Sequence, residues 1–126
     1  MLLLTTRYVR TYRQAHTLLK YISIRIEFLC TSEFKRTAQT AAPLATKLGI
    51  TPTVVPAQNS MDLVQKLRRE HPHDTTLIVG HADTLPDIIR QLGILEPVEI
   101  PGNEFGDLFL VVVHPSSFPT LLRLHY

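Results

Sequence analysis

The stretch Thr75 to Gly93, TTLIVGHADTLPDIIRQLG, constrains the fold more than any other part of this 126-residue chain, because a short apolar run stops at a polar turn that opens a helix. Leu77, Ile78 and Val79 suit a strand buried on both faces, and Gly80 lets the backbone turn sharply after it. Thr84, with Asp87 three residues on, has the spacing of a capping box. Pro86 is tolerated in a first helical turn, and Gly93 is placed to end the helix. His81 therefore stands beside a helix N-terminus, where unpaired backbone amides and a partial positive charge favour an anion. A histidine in such a turn is more often structural or solvated than functional, so its meaning depends on what else reaches the same place.

Thr31 to Gly49, TSEFKRTAQTAAPLATKLG, repeats the architecture. Ile26, Phe28, Leu29 and Cys30 read as a strand that runs into a helix opened by Thr31 or Ser32. Arg36 lies in the first turns of that helix. In an open parallel α/β sheet, ligands collect outside the carboxyl ends of the strands, so Arg36 and His81 face one crevice if their strands are parallel. Arginine stays charged and offers a planar fork to phosphate oxygens. Alone, an Arg on a helix is usually solvated surface.

Taken together, Ser32-Glu33-Phe34-Lys35-Arg36-Thr37-Ala38-Gln39-Thr40-Ala41 and Val79-Gly80-His81, with Thr84 and Pro86 behind, resemble the histidine phosphatase superfamily, also called the phosphoglycerate mutase-like family. The similarity runs from about Leu4 to Tyr126 and is greatest to the small phosphatases. It implies hydrolysis of a phosphomonoester or a phosphohistidine through a phosphohistidine intermediate, without metal or other cofactor. In that chemistry a nucleophilic histidine takes the phosphoryl group while two arginines and a second histidine stabilise it. Arg36 matches one arginine. His81 matches the second histidine, expected as a protonated donor with a pKa near the reference of about 6.5. The family's nucleophile lies in an Arg-His-Gly signature on the first strand, and no Arg-His dipeptide occurs here. The resemblance thus predicts a single domain over 1–126, amino-terminally truncated. Its fold is expected to be a three-layer α/β/α sandwich with a mostly parallel sheet, an antiparallel C-terminal strand pair and five strands remaining. The missing first strand would leave a seam between the His81 strand and the terminal pair, open to self-association through exposed edges.

Composition bounds the alternatives. A chain of this length buries about two thirds of its unfolded surface, enough for one core. Lys and Arg total 13 against 11 Asp and Glu, so a net charge of +2 gives no basic field for nucleic acid. One cysteine rules out an internal disulfide, and Cys30 ends an apolar strand as a small buried hydrophobe. No apolar run approaches the roughly 20 residues that span a bilayer. The chain as written reads as cytoplasmic, with no membrane partner; an export signal ahead of Met1 in a full-length relative would change that.

Thr5 or Thr6 caps a first helix reaching about Tyr21, whose four cations, Arg7, Arg10, Arg13 and Lys20, form a solvated face. The family's early glycine in this helix is absent. Pro43 should kink or split the Thr31 helix. Thr53 to Val55 reads as a strand, and Ser60 caps a helix to about Glu70 with Asp62 in its first turn and Arg68 and Arg69 in its last. His71-Pro72-His73-Asp74 reads as a surface turn rather than a metal site. The family usually places an acid after the strand ending at Val55. Pro56 to Met61 holds no carboxylate, which leaves Asp62 and Asp83 as candidates, neither assigned. A loop through Gly102 and Gly106 precedes strands at Asp107 to Val113 and Thr120 to Leu124. The expected partner is a phosphorylated small molecule or a phosphohistidine protein. Two other readings stay open: a non-catalytic phosphate-binding pseudoenzyme or gene fragment, and an unrelated doubly wound ligand-binding domain.

Overall fold

The computed structural model describes residues 2–6, 26–101, 107–113 and 117–125. They form a mixed α/β fold around a six-stranded sheet. In chain order the elements are β1 (Leu2–Thr6), β2 (Phe28–Thr31), α1 (Lys35–Leu48), β3 (Thr53–Val54), α2 (Ser60–Glu70), β4 (Thr76–Val79), α3 (Leu85–Gln91), β5 (Asp107–Val112) and β6 (Thr120–His125). The sheet order is β3-β2-β4-β1-β5-β6. Strand β2 pairs parallel with β3 and β4, and β1 pairs parallel with β5. Strand β1 is antiparallel to β4, and β5 to β6.

The first strand corrects two expectations. Thr5 and Thr6, placed above at the start of a helix, belong to β1, while the rest of that helix, to Tyr21, lies outside the described residues. The seam expected to stand open is occupied: Leu2 is registered with Val79 on one side and with Leu108 on the other. The sheet therefore has six strands, not five. Its described edges, through which association was expected, are β3 and β6.

Alternation along the strands builds a core on each face. Phe28, Cys30, Ile78, Phe109 and Val111 join Leu63, Val64 and Leu67 of α2 and Leu85, Ile88 and Ile89 of α3. Leu29, Leu77, Val79, Leu108, Leu110 and Val112 join Ala41 and Ala45 of α1. Thr37, Ala41 and Ala45 recur every four residues, so α1 presents a stripe of small side chains to the sheet and can approach it closely. Pro43 does not split α1, which runs unbroken from Lys35 to Leu48. Pro43 is on the exposed side, where its ring displaces only solvent and one backbone bond is forgone. Gly49 (φ 66°) and Gly93 (φ 106°) take left-handed conformations just past α1 and α3, the role expected of helix-ending glycines.

The caps differ from those the sequence suggested. Helix α1 starts at Lys35 after an extended Phe34, because Thr31 completes β2 and Ser32 is engaged elsewhere. Asn59 precedes α2, and Ser60 is its first helical residue. The capping box at Thr84 is not made. The Thr84 hydroxyl turns back to accept from the His81 amide at 3.1 Å, while Asp87 pairs with Arg90 and Gln91.

Connectivity opens the crevice. From β2 the chain leaves to α1 on one face, and from β4 to α3 on the other, as the two clusters show. Adjacent parallel strands whose exits part in this way leave a gap at their carboxyl ends. Thr31 is registered with Val79, so Ser32 and Gly80 leave the sheet at the same level.

Candidate functional site

His81 is the second residue past β4 and half-buried, and its two ring nitrogens meet the β2 exit. Nε2 lies 2.7 Å from Ser32 Oγ across 49 residues of sequence. On the other side, Nδ1 accepts from Arg36 Nε at 3.4 Å and faces Nη2 at 3.3 Å. Phe34 completes the group: its ring is edge-on to His81 at 5.2 Å, and the Arg36 guanidinium lies over it at 5.0 Å. The two residues singled out from the sequence thus meet, and Ser32 joins them.

Gly80 owes its place to packing rather than to its torsion angle, since only Gly49 and Gly93 have positive φ. A Cβ at Gly80 would stand 2.8 Å from Leu85 Cδ2 and 3.2 Å from its Cγ. Leu85 is fully buried, so it cannot swing aside. The missing side chain lets the turn fold back against α3 and points His81 toward β2.

Burial and, secondarily, the neighbouring Arg36 charge hold the His81 pKa below its ordinary value, against an opposing pull from Asp83 and Glu33. The expectation of an unperturbed, protonated His81 is therefore corrected for the free protein: burial and Arg36 favour the neutral imidazole more than Asp83 and Glu33 favour the charged one.

Of the two candidate acids, Asp83 is exposed two residues past His81, and Asp62 is exposed in the first turn of α2. Sequence reasoning passed over Glu33. Its Oε2 accepts from the Ala57 amide at 2.8 Å, bringing a carboxylate to the segment after β3 from the β2 side. Backbone hydrogen bonds at Glu33 and Ala57 lower its pKa, which makes it a fixed acceptor and not a proton donor. The Ser32 and His81 pair has the spacing of a nucleophile and base, but such a base needs an acid on its other nitrogen, and here that nitrogen faces a cation.

A cavity of about 20 Å³ lies behind His81, lined by Ser32, Val55, Ser60, Leu63, Thr84 and Ile88 among others. It has room for about one water. Two larger cavities, about 400 and 390 Å³, border Gly93 to Glu96 and Asp83 to Val98 and include neither Arg36 nor His81.

Comparisons with protein-family models, with curated proteins and with solved structures return no match. At the other end of β4, His71 is committed to Asp74 at 2.8 Å and stacks on Phe28 at 3.8 Å. Among the described residues no cluster of three or more His, Cys, Asp or Glu is arranged to hold a metal, and no helix is long and apolar enough to cross a membrane. His16 and His114 lie outside the described residues.

Proposed function

We propose that the protein binds a phosphate-type oxyanion between Arg36 and His81, as the stabilising half of a histidine phosphatase site. The observation that carries this reading is the convergence of a guanidinium and an imidazole on one exposed point at the β2 and β4 exits. A cationic fork fits nonbridging phosphate oxygens, and a histidine that gains charge when the anion arrives adds a second donor. Helix α3 is only two turns long, so these side chains carry the binding and the helix dipole adds little. The alternation of the two core clusters about the sheet supports the three-layer, phosphoglycerate mutase-like form of the fold.

In the complete reaction a phosphomonoester or a phosphohistidine protein would pass its phosphoryl group to a histidine opposite Arg36 and His81. His71 and His73 precede β4 whereas His81 follows it, so neither can stand opposite His81 in the crevice. Without the Arg-His-Gly signature that supplies the nucleophile in the resembled family, the 126-residue chain reads as a phosphate binder that does not turn over phosphomonoesters. The second reading from the sequence, a non-catalytic phosphate-binding pseudoenzyme, makes the same prediction for this chain. The test is calorimetric titration with phosphate and vanadate, beside an assay of p-nitrophenyl phosphate hydrolysis. The proposal expects saturable binding that Arg36→Ala weakens by roughly ten- to a hundredfold, the worth of a charge-assisted hydrogen bond, and no hydrolysis. Equal affinity in both proteins removes Arg36 from the site. Hydrolysis that disappears in His81→Ala would show a complete active site and overturn the binding-only reading.

A further inference from the structure

The hydroxyl chain behind His81 has one consistent direction. Thr37 Oγ1 lies 2.8 Å from Phe34 O and 3.2 Å from Ser32 O, both pure acceptors, so its single proton is committed to the backbone. Its two lone pairs then accept from the Ser32 amide at 3.2 Å and from the Ser32 hydroxyl at 3.1 Å. Having given its proton to Thr37, Ser32 Oγ accepts from the Phe34 amide at 3.3 Å and from His81 Nε2 at 2.7 Å. Every donor and lone pair is used once. Nε2 therefore carries the imidazole proton, and Nδ1 keeps the lone pair that meets Arg36.

We propose that Ser32 is the positioning residue of this site: by accepting the Nε2 proton it fixes the His81 tautomer and turns Nδ1 toward Arg36 and toward any anion that shares it. The anion part rests on the function proposed above. The distances say which contact yields when an anion enters. Ser32 is 6% exposed and holds Nε2 at 2.7 Å, whereas the exposed Arg36 holds Nδ1 only at 3.3–3.4 Å. The Arg36 contact opens and the Ser32 contact stays. Nδ1 then takes up a proton and donates to the anion, so that both ring nitrogens are donors, Nε2 to Ser32 and Nδ1 to the ligand. Among the described residues, the charged groups that act on His81 are Arg36 from α1, Glu33 from the loop before α1, and Asp83 from its own turn.

The ligand-free test is the imidazole ¹H–¹⁵N spectrum of the ¹⁵N-histidine-labelled protein near pH 7.5. The proposal expects one sharp His81 Nε2–H signal, protected from exchange with water, that is lost in Ser32→Ala and regained in Ser32→Thr. A His81 proton found on Nδ1, or a protected signal indifferent to Ser32→Ala, overturns it. The wild-type spectrum alone decides the tautomer if a variant fails to fold. With phosphate as the probe, calorimetry in buffers of different ionisation enthalpy should show proton uptake on binding. Ser32→Ala should weaken phosphate by about two- to tenfold, the worth of one hydrogen bond, and Ser32→Thr should restore it. If wild type binds no phosphate while the Nε2–H signal follows Ser32, the proposed function fails and the positioning of His81 stands.

Discussion

At the level of single residues, His81 couples the site to the stability of the fold. Burial and Arg36 lower its pKa in the folded protein, so the unfolded chain takes up the proton first as pH falls. His81's contribution to stability is therefore fully present above the unfolded value of about 6.5 and is lost as pH drops below it toward the folded pKa. Urea unfolding at about pH 7.5 and about pH 5.5 should show a drop in stability for wild type that is smaller in His81→Gln, and equal drops would contradict this. Saturating phosphate should oppose the loss, because the anion favours the charged ring. Arg36 and His81 were legible because each follows an apolar run that ends at a polar turn. Ser32 was quoted in the same motif but read as a possible helix cap: a serine before a helix looks alike whether its hydroxyl takes a backbone amide or a side chain 49 residues away. Glu33 escaped because the acid was sought after β3, whereas the carboxylate reaches that segment from the β2 exit.

Among the elements, the turn between β4 and α3 decides where His81 points. Gly80→Ala would place a methyl 2.8 Å from a fully buried Leu85 side chain. Overpacking of this kind costs about 1–3 kcal/mol, and the strain falls on the turn that holds His81. Denaturation should show that loss together with weaker phosphate binding; unchanged values for both would mean that the close approach is unimportant. Strands β2, β4 and β5 could be read from their apolar runs because they are buried on both faces. Strand β1 could not. Its five residues lead into a basic stretch whose apolar positions recur at helical spacing, and Thr5 and Thr6 read as the cap of that helix. The caps were misread for a related reason, since Thr84 and Ser32 spend their hydroxyls on the site and its turn.

For the molecule as a whole, β1 joins the half that carries the site, β3-β2-β4, to the terminal pair, β5-β6. A proline in a central strand forfeits a ladder hydrogen bond and clashes with its neighbours. Leu4→Pro should therefore destabilise the protein by about 3 kcal/mol or more, and the amides of Leu3 to Thr5 should be among the slow-exchanging ones in wild type. Fast exchange there, with a harmless Leu4→Pro, would mean that β1 does not fill the seam.

The central claim, that the carboxyl ends of β2 and β4 hold a phosphate-type anion between Arg36 and His81, is tested most directly by following a phosphate titration in the ¹H–¹⁵N spectrum of the labelled protein. The account predicts saturable shifts at the Arg36 guanidinium, the His81 ring and the amides of Ser32 to Thr37, all absent in Arg36→Ala. Saturable shifts confined to Arg68, Arg69 or Arg90, or none at all at millimolar phosphate, would contradict it.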